Sequence, residues 1–233
     1  QLKDLETIEK KREKQIMIAK SGNKDAQKIV SSLEKYISHI ESGKSARSLE
    51  ATDSDLESIQ DLHLLTSKPI LYVCNVDENT MKSGNKHVDA VKEVVKDEDA
   101  EILLIATAIE SEISELDDFE EQQMFLEEMG LKKPGVHHLI QSTYKLLNLQ
   151  TYFTAGVKEV RAWTITKGTK APQAAGVIHT DFEKGFIRAE VISYNDFSTL
   201  ESELACKESG KMKIQGKDYI VEDGDVMHFL FNV

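Results

Sequence analysis

The sequence predicts a mixed architecture, α/β followed by α+β, with a helical hairpin in front. Three observations carry that expectation. Two apolar runs, "PILYVC" at 69–74 and "EILLIAT" at 101–107, flank an amphipathic stretch near 86–97. Strand, helix, strand at this spacing is a βαβ unit of a parallel sheet. Beyond Leu149 the texture changes to short alternating runs broken by turn residues, the pattern of an α+β domain of the β-grasp, ubiquitin-like type. Residues 1–41 are highly charged, with narrow apolar stripes at helical spacing, which suits two helices folded into an antiparallel hairpin.

Taken in order, the helices span about 1–20 and 24–41, with Gly22 and Asn23 in the turn and Asp25 near the second start. Val30, Leu33, Ile37 and Ile40 are spaced 3-4-3, the seam of a short coiled coil. Leu2, Leu5 and Ile8 begin a weaker seam on the first helix. So many Lys and Glu leave only a narrow stripe, so a coiled-coil arm is expected rather than a pair packed on a core. "SGKSARSLEAT" at 42–52 reads as a small-residue linker, after which Asp53 or Ser54 caps a helix carrying Leu56, Ile59, Leu62 and Leu65.

The strand at 69–75 reads as fully buried, and the helix near 86–97 puts Val88, Val91, Val94 and Val95 on one side. A further helix near 117–129 stops at Gly130, and another runs from about 135 to 147. Then come strands in "TYFTAG" and "EVRAWTI" joined near Gly156, a short helix in "PQAAGVIH", and strands in "GFIRAEVIS" and "DVMHFLF", the last entered by the turn "EDGD" at 222–225. The expected divisions are 1–45, 46–149 and 150–233.

Composition narrows the function classes. A chain of 233 residues suits one large domain or two ordinary ones. No segment approaches the ~18 apolar residues of a membrane span, and no secretory leader is visible. Cys74 and Cys206 sit in unrelated elements and read as free thiols in a reducing, cytoplasmic setting. Neither has a Cys or His at ligand spacing, so no metal site is expected in these residues. The chain opens on Gln1 and not Met, so it is expected to be processed or part of something longer. A monomer is expected.

The net charge is −12, with a balance of +3 over 1–50, −13 over 51–150 and −2 over 151–233. Only the arm would attract nucleic acid at long range. Lys10, Lys11, Arg12 and Lys14 cluster there and are the candidate contact to RNA phosphates. The bland reading, that they keep a thin arm soluble, stays open beside it.

"SGKS" at 42–45 suggests a phosphate loop but fails, because the position five before Gly43 is Ser38 and no strand precedes it. "NVDE" at 75–78 is more informative. It ends an apolar strand, and open α/β sheets bind ligands at the carboxyl ends of their strands. P-loop GTPases carry N-K-x-D there, with the Asp accepting two hydrogen bonds from guanine. Here Val76 stands at the Lys position and Glu78 at the Asp position. Glu is one methylene longer and cannot hold the same point with the base unmoved, so guanine specificity is lost. The second strand ends in "ATA" at 106–108, where GTPases place a small loop against the base. The residues alone leave a solvated turn and a base site both open.

Other polar groups have plain explanations. His179 with Asp181 reads as a packing and capping pair, and adjacent His137 and His138 point to different helix sides. Asp223 and Asp225 flank Gly224 in a strand-entry turn. Phe153, Trp163, Phe182 and Phe186 could stack on bases, but alternating strand aromatics are more often core. The acidic run "ESEISELDDFEEQQ" reads as a solvated helix face.

Taken together the chain resembles the YchF/Obg-like ATPase family over essentially its whole length. The carriers are Asn75-Val76-Asp77-Glu78, the hairpin, and three long stretches, "LQTYFTAGVKEVRAWTI", "APQAAGVIHTDFEKGFIRAEVI" and "GKDYIVEDGDVMHFLFNV". The resemblance implies a P-loop NTPase that prefers ATP through N-x-x-E, interrupted by an antiparallel coiled-coil arm and ended by a TGS domain of β-grasp fold that contacts RNA or the ribosome. It carries over Asn75, Val76 and Glu78, and more loosely Thr107 and Ala108, as base contacts. A family member would open with a P-loop, a Mg²⁺-binding switch and a D-x-x-G motif, and these residues contain none. The likeness is therefore to the C-terminal two thirds, with no catalytic or metal residue carried over and no hydrolysis expected of the chain alone. The alternative is a non-enzymatic ribosome- or RNA-binding module made of the arm and the TGS domain.

Overall fold

The computed structural model describes residues 1–96, 98, 100–156 and 159–232. By its contacts the chain divides into two units, Gln1–Glu115 and Leu116–Val233.

In the first unit, α1 (Leu2–Ala19) and α2 (Lys24–Glu41) form the hairpin. Asn23 Oδ1 caps α2, accepting from the Asp25 and Ala26 amides, which satisfies two otherwise orphaned donors. Gln1 Nε2 donates to the Gly43 carbonyl at 2.8 Å, so the open ends of the pair meet. Leu33, Ile37 and Ile40 are buried as the seam requires, but so are Ala26, Ser32 and Tyr36. This stripe is wider than a heptad seam because Ala46, Ile59 and Leu64 pack into the same cluster as Ile8 and Leu33. The expectation of an arm without a core is therefore corrected at its base. Leu2, Met17 and Ile18 are exposed.

Ionic groups fasten this base. Asp4, only 2 % exposed, accepts from the Leu65 and Thr66 amides at 2.8 and 2.7 Å. Asp55, also 2 % exposed, accepts from Ser32 Oγ at 2.6 Å, from Lys35 Nζ at 3.0 Å and from the Thr52 amide at 3.1 Å. Residues 42–52 are thus no free linker: the Ala46 amide donates to Thr66 Oγ1, and Arg47 pairs with Glu98 at 2.6 Å. The helix α3 (Asp53–Ile59) is capped by Thr52 in a capping box with Asp55, not by Asp53 or Ser54. Leu56 and Leu65, expected on its apolar face, are exposed.

The βαβ unit forms as expected. The strand β1 (Leu71–Asn75) leads to α4 (Lys86–Val94), capped by Asn85, and then to β2 (Glu101–Ile105). The strands pair in parallel, from Leu71 with Glu101 to Asn75 with Ile105. This sheet has two strands, so β1 is not fully buried: Val73 is 47 % exposed. Val88 and Val95 are buried while Val94 turns outward. The expected end of α4 at residue 97 lies outside the described residues. Thr107 opens α5 (Thr107–Glu115), a helix the sequence reading did not anticipate.

The second unit begins with α6 (Phe119–Glu128) and α7 (Gly135–Leu146). A hairpin of β3 (Leu149–Ala155) and β4 (Val160–Thr166) follows, then α8 (Ala171–Ile178) and α9 (Thr180–Lys184). Next come β5 (Phe186–Ser193), α10 (Tyr194–Leu200), α11 (Glu203–Glu208), β6 (Lys213–Gln215) and β7 (Asp225–Phe231). The sheet order is β4-β3-β7-β5-β6, with β3 and β7 parallel and the other pairs antiparallel.

Ala171, Ala174 and Ala175 of α8 pack on Tyr152, Ile165, Phe186 and Met227, and small residues let helix and sheet approach closely. Tyr152 Oη donates to the Ala174 carbonyl at 2.8 Å. Ile192, Cys206 and Val226 form a smaller cluster with Phe153 and Phe197. The division falls before the texture change at Leu149 because α7 packs on β3.

Candidate functional site

The candidate site is built at the carboxyl ends of β1 and β2. Asn75 closes β1, and its Oδ1 accepts from the Thr107 amide at 3.2 Å and from Thr107 Oγ1 at 3.0 Å. One side-chain oxygen thus ties the loop after β1 to the start of α5. The Val76 amide donates to the Ile105 carbonyl at 3.0 Å, and the Val76 side chain is buried. The backbone is therefore held in the ladder one residue beyond the strand.

Asp77 caps the short 3₁₀ turn Glu78–Thr80 by accepting from the Thr80 amide at 3.0 Å. One of its two carboxylate oxygens is thereby used in the cap. Glu78 is exposed, and among the described residues its carboxylate makes no hydrogen bond or ion pair. Ala108 is exposed in the first turn of α5. The structure brings Asn75, Val76 and Thr107 together by hydrogen bonding. Glu78 and Ala108 lie in the two loops so joined.

Chemically, Asn75 has its acceptor occupied twice and its Nδ2 left as a donor, while Glu78 offers only acceptors. A donor and an acceptor are thus presented at one sheet end. Among the described residues no group of three or more His, Cys, Asp or Glu could hold a metal ion, and no helix is long and apolar enough to cross a membrane.

The basic cluster divides. Lys10 and Lys14 are exposed, Lys10 pairing with Glu6. Lys11 turns inward, its side chain 16 % exposed, and donates to the Ser58 carbonyl at 2.8 Å and to Asp61. Arg12 is half-buried, and its Nε is buried without a partner among the described residues.

Asp181 donates its amide to His179 Nδ1 at 3.2 Å, capping α9, and His137 and His138 are exposed on α7. Asp223 accepts from the Thr151 amide at 2.8 Å. Asp225 is buried, which pushes its carboxyl pKa up, and accepts from Tyr219 Oη at 2.7 Å. Phe186 is core, Trp163 and Phe182 pack against the same cluster, and Phe182 stacks on Phe231 at 3.8 Å between ring centroids. Phe153 lies 5.9 Å from Tyr194 beside a cleft of about 1000 Å³ in the second unit, lined also by Tyr144 and Lys145. That cleft includes no member of the Asn75 group.

Sequence reasoning missed Asp4, Asp55 and the Arg47–Glu98–Tyr72 cluster, in which Glu98 also accepts from Tyr72 Oη at 3.0 Å. A signal for two of the inward groups did exist. Asp4, Ile8 and Lys11 stand at i, i+4 and i+7, one face of a helix.

The comparisons agree with one another. A family model, YchF-GTPase_C, described as "Protein of unknown function (DUF933)", matches residues 149–232. The chain is 50 % identical over 232 residues to the "Ribosome-binding ATPase YchF" of Pasteurella multocida (strain Pm70), covering 100 % of this chain and 63 % of that protein. It is 50 % identical over 234 residues to the Bacillus subtilis (strain 168) protein of the same name, covering 100 % and 64 %. The structure of the Schizosaccharomyces pombe YchF GTPase matches with a TM-score of 0.87 and 34 % identity, over 98 % of this chain and 62 % of that one. A GTP binding protein from Pyrococcus horikoshii OT3 shares the fold, with a TM-score of 0.50 at 13 % identity over 89 % of this chain and 57 % of that one. The chain spans less than two thirds of these relatives' lengths. With half its residues identical across its full extent, it belongs to the YchF family and corresponds to the C-terminal part of its members.

Proposed function

We propose that the chain is the base-binding and ribosome-contacting portion of an ATP-hydrolysing, Obg-like P-loop NTPase. Residues 1–45 are its arm, 46–149 the C-terminal part of its nucleotide domain, and 150–233 a TGS domain. The β4-β3-β7-β5-β6 order, with first and last strands parallel and a helix over one face, supports a β-grasp reading of that last domain. The relatives' printed names support ribosome binding and ATP hydrolysis.

The observation that carries the base site is Asn75 Oδ1 bridging to Thr107, which leaves Nδ2 as a donor, with the exposed acceptor Glu78 three residues further along the same loop. Adenine presents an acceptor at N7 next to a donor at its 6-amino group, whereas guanine presents two acceptors there. In N-K-x-D an Asn donor and a carboxylate acceptor serve guanine as well, so the proposed adenine preference rests on the extra methylene of Glu78, which moves the acceptor off the guanine position. The ribosome binding in the relatives' printed names also fits a second reading of the chain by itself: the arm and TGS domain form a binding module without chemistry.

The test replaces Val76→Lys and Glu78→Asp in the full-length protein, restoring N-K-x-D, and titrates ATP and GTP. Exchanging a pair of base hydrogen bonds changes relative affinity by roughly tenfold or more, so preference should move towards GTP. An unchanged ratio would place the specificity in other groups and overturn the assignment of Glu78.

A further inference from the structure

The free edge of β4 is the feature of the second unit that no functional reading has used. It is one of two edges of the five-stranded sheet, and the other, β6, has only three residues. The β3–β4 ladder runs from Leu149 with Thr166 to Ala155 with Val160 without a register shift.

Two bonds set the phase of this ladder: the Gly156 amide to the Glu159 carbonyl at 2.9 Å, and the Lys167 amide to the Asn148 carbonyl at 2.8 Å. Hydrogen-bonded pairs alternate in an antiparallel ladder, so Arg161, Trp163 and Ile165 spend their backbone groups on β3. Val160, Ala162, Thr164 and Thr166 point theirs out of the sheet. These four are exposed, Val160 by 73 %, and of their backbone groups only the Thr166 carbonyl has other partners among the described residues, the Thr169 amide and Oγ1.

Natural edges are usually blunted by proline, a bulge or an outward charge. β4 has no proline and no bulge. Its one charged residue, Arg161, lays its guanidinium over its own Trp163 at 4.1 Å.

We propose that β4 is an interface for a second copy of this chain, pairing antiparallel about a two-fold axis at Trp163. The two-fold requires that paired positions sum to twice 163. It sets Ala162 against Thr164 of the second copy and Val160 against Thr166, all outward-pointing residues, so the hydrogen-bond phase matches. It also sets Glu159 of each copy against Lys167 of the other, an opposite-charge pair at each end. A register moved by two residues keeps the phase but loses this pairing, so charge selects the alignment. One strand edge covers far less than the roughly 1,200 Å² of a stable interface, so the dimer is weak and forms with concentration.

Sedimentation velocity of the full chain over the micromolar-to-millimolar range tests this. Wild type should pass from monomer to dimer. Glu159→Lys and Lys167→Glu should each weaken association roughly tenfold, since each places like charges opposite at both ends, and the double reversal should restore it. Thr164→Pro, with an outward donor removed and folding checked by circular dichroism, should be monomeric. A wild type that is monomeric throughout overturns the proposal, even if the edge takes another protein's strand. So does a dimer that ignores the charge reversals.

Discussion

Asp55→Ala should strip the hairpin of its central fastening. The carboxylate is 2 % exposed and joins α2 to α3, accepting from Ser32 Oγ, Lys35 Nζ, the Thr52 amide and Thr52 Oγ1. Truncation leaves the buried Ser32 hydroxyl without its acceptor, at about 1–3 kcal/mol. It also removes the capping box of α3, about 1 kcal/mol. Lys35 is half-exposed and turns to water, so its loss adds little. The expected destabilisation is about 3 kcal/mol, which for a unit of this size lowers Tm by about 10–15 °C.

The loss should be confined to conditions where Asp55 is ionised. The Ser32 hydrogen bond, and then Lys35, hold its pKa well below the ordinary carboxylate range. A folded-state pKa below the unfolded one makes the contribution complete above the unfolded value of about 3.9, and it is lost as pH falls towards the folded value. The difference between wild type and variant should therefore be constant near neutrality and shrink below about pH 4. Calorimetry of both chains from pH 7 to about pH 3 reads both quantities. A neutral-pH loss under about 1 kcal/mol, or a difference that grows on acidification, would refute the reasoning.

Three further outcomes follow from other parts of the molecule. Gly185→Ala should destabilise the second unit by roughly 1–3 kcal/mol in thermal melts, because the added Cβ would meet the Asn232 carbonyl oxygen at 1.9 Å, a backbone atom that cannot swing aside. Lys10→Gln with Lys14→Gln should weaken RNA binding and flatten its salt slope with stability unchanged, whereas Lys11→Gln should lower stability by breaking its bonds to Ser58 and Asp61. If the Lys10/Lys14 variant keeps the wild-type affinity and slope, the arm does not touch RNA. The purified chain alone should release no phosphate from ATP, since base contacts cannot position a γ-phosphate; turnover that Glu78→Ala abolishes would contradict this.

What the sequence made legible was periodic and local. The hairpin, β1, α4, β2 and, in the second unit, β3, β4, β5 and β7 each repeat their signal over several residues. Its failures have two physical sources. Elements such as α9, α11 and β6 are three to six residues long, too short for a period to register. The second source is burial decided from a distance. Asp4 meets Leu65 and Thr66, and Asp55 meets Ser32, so nothing beside either aspartate in sequence announces its partner. The apolar run of β1 likewise reads as buried, yet Val73 is half-exposed because strand neighbours, not strand composition, decide coverage.

The Asn75 group stands between these cases, and that explains why it could be only half read. Its residue types and its place at a strand end are local facts, and they suffice to nominate a base site. Which atoms are free is not local, because it depends on Thr107, reached through the whole of α4 and β2. Once Asn75 Oδ1 is occupied by Thr107 and Asp77 Oδ1 by Thr80, the four-residue motif keeps one amide donor, the second Asp77 oxygen and the Glu78 carboxylate. Asn75 holds the two loops together, and in the proposed function it would also face the base. Under the proposed function, discrimination would rest on Glu78, whose exposed carboxylate has no partner among the described residues.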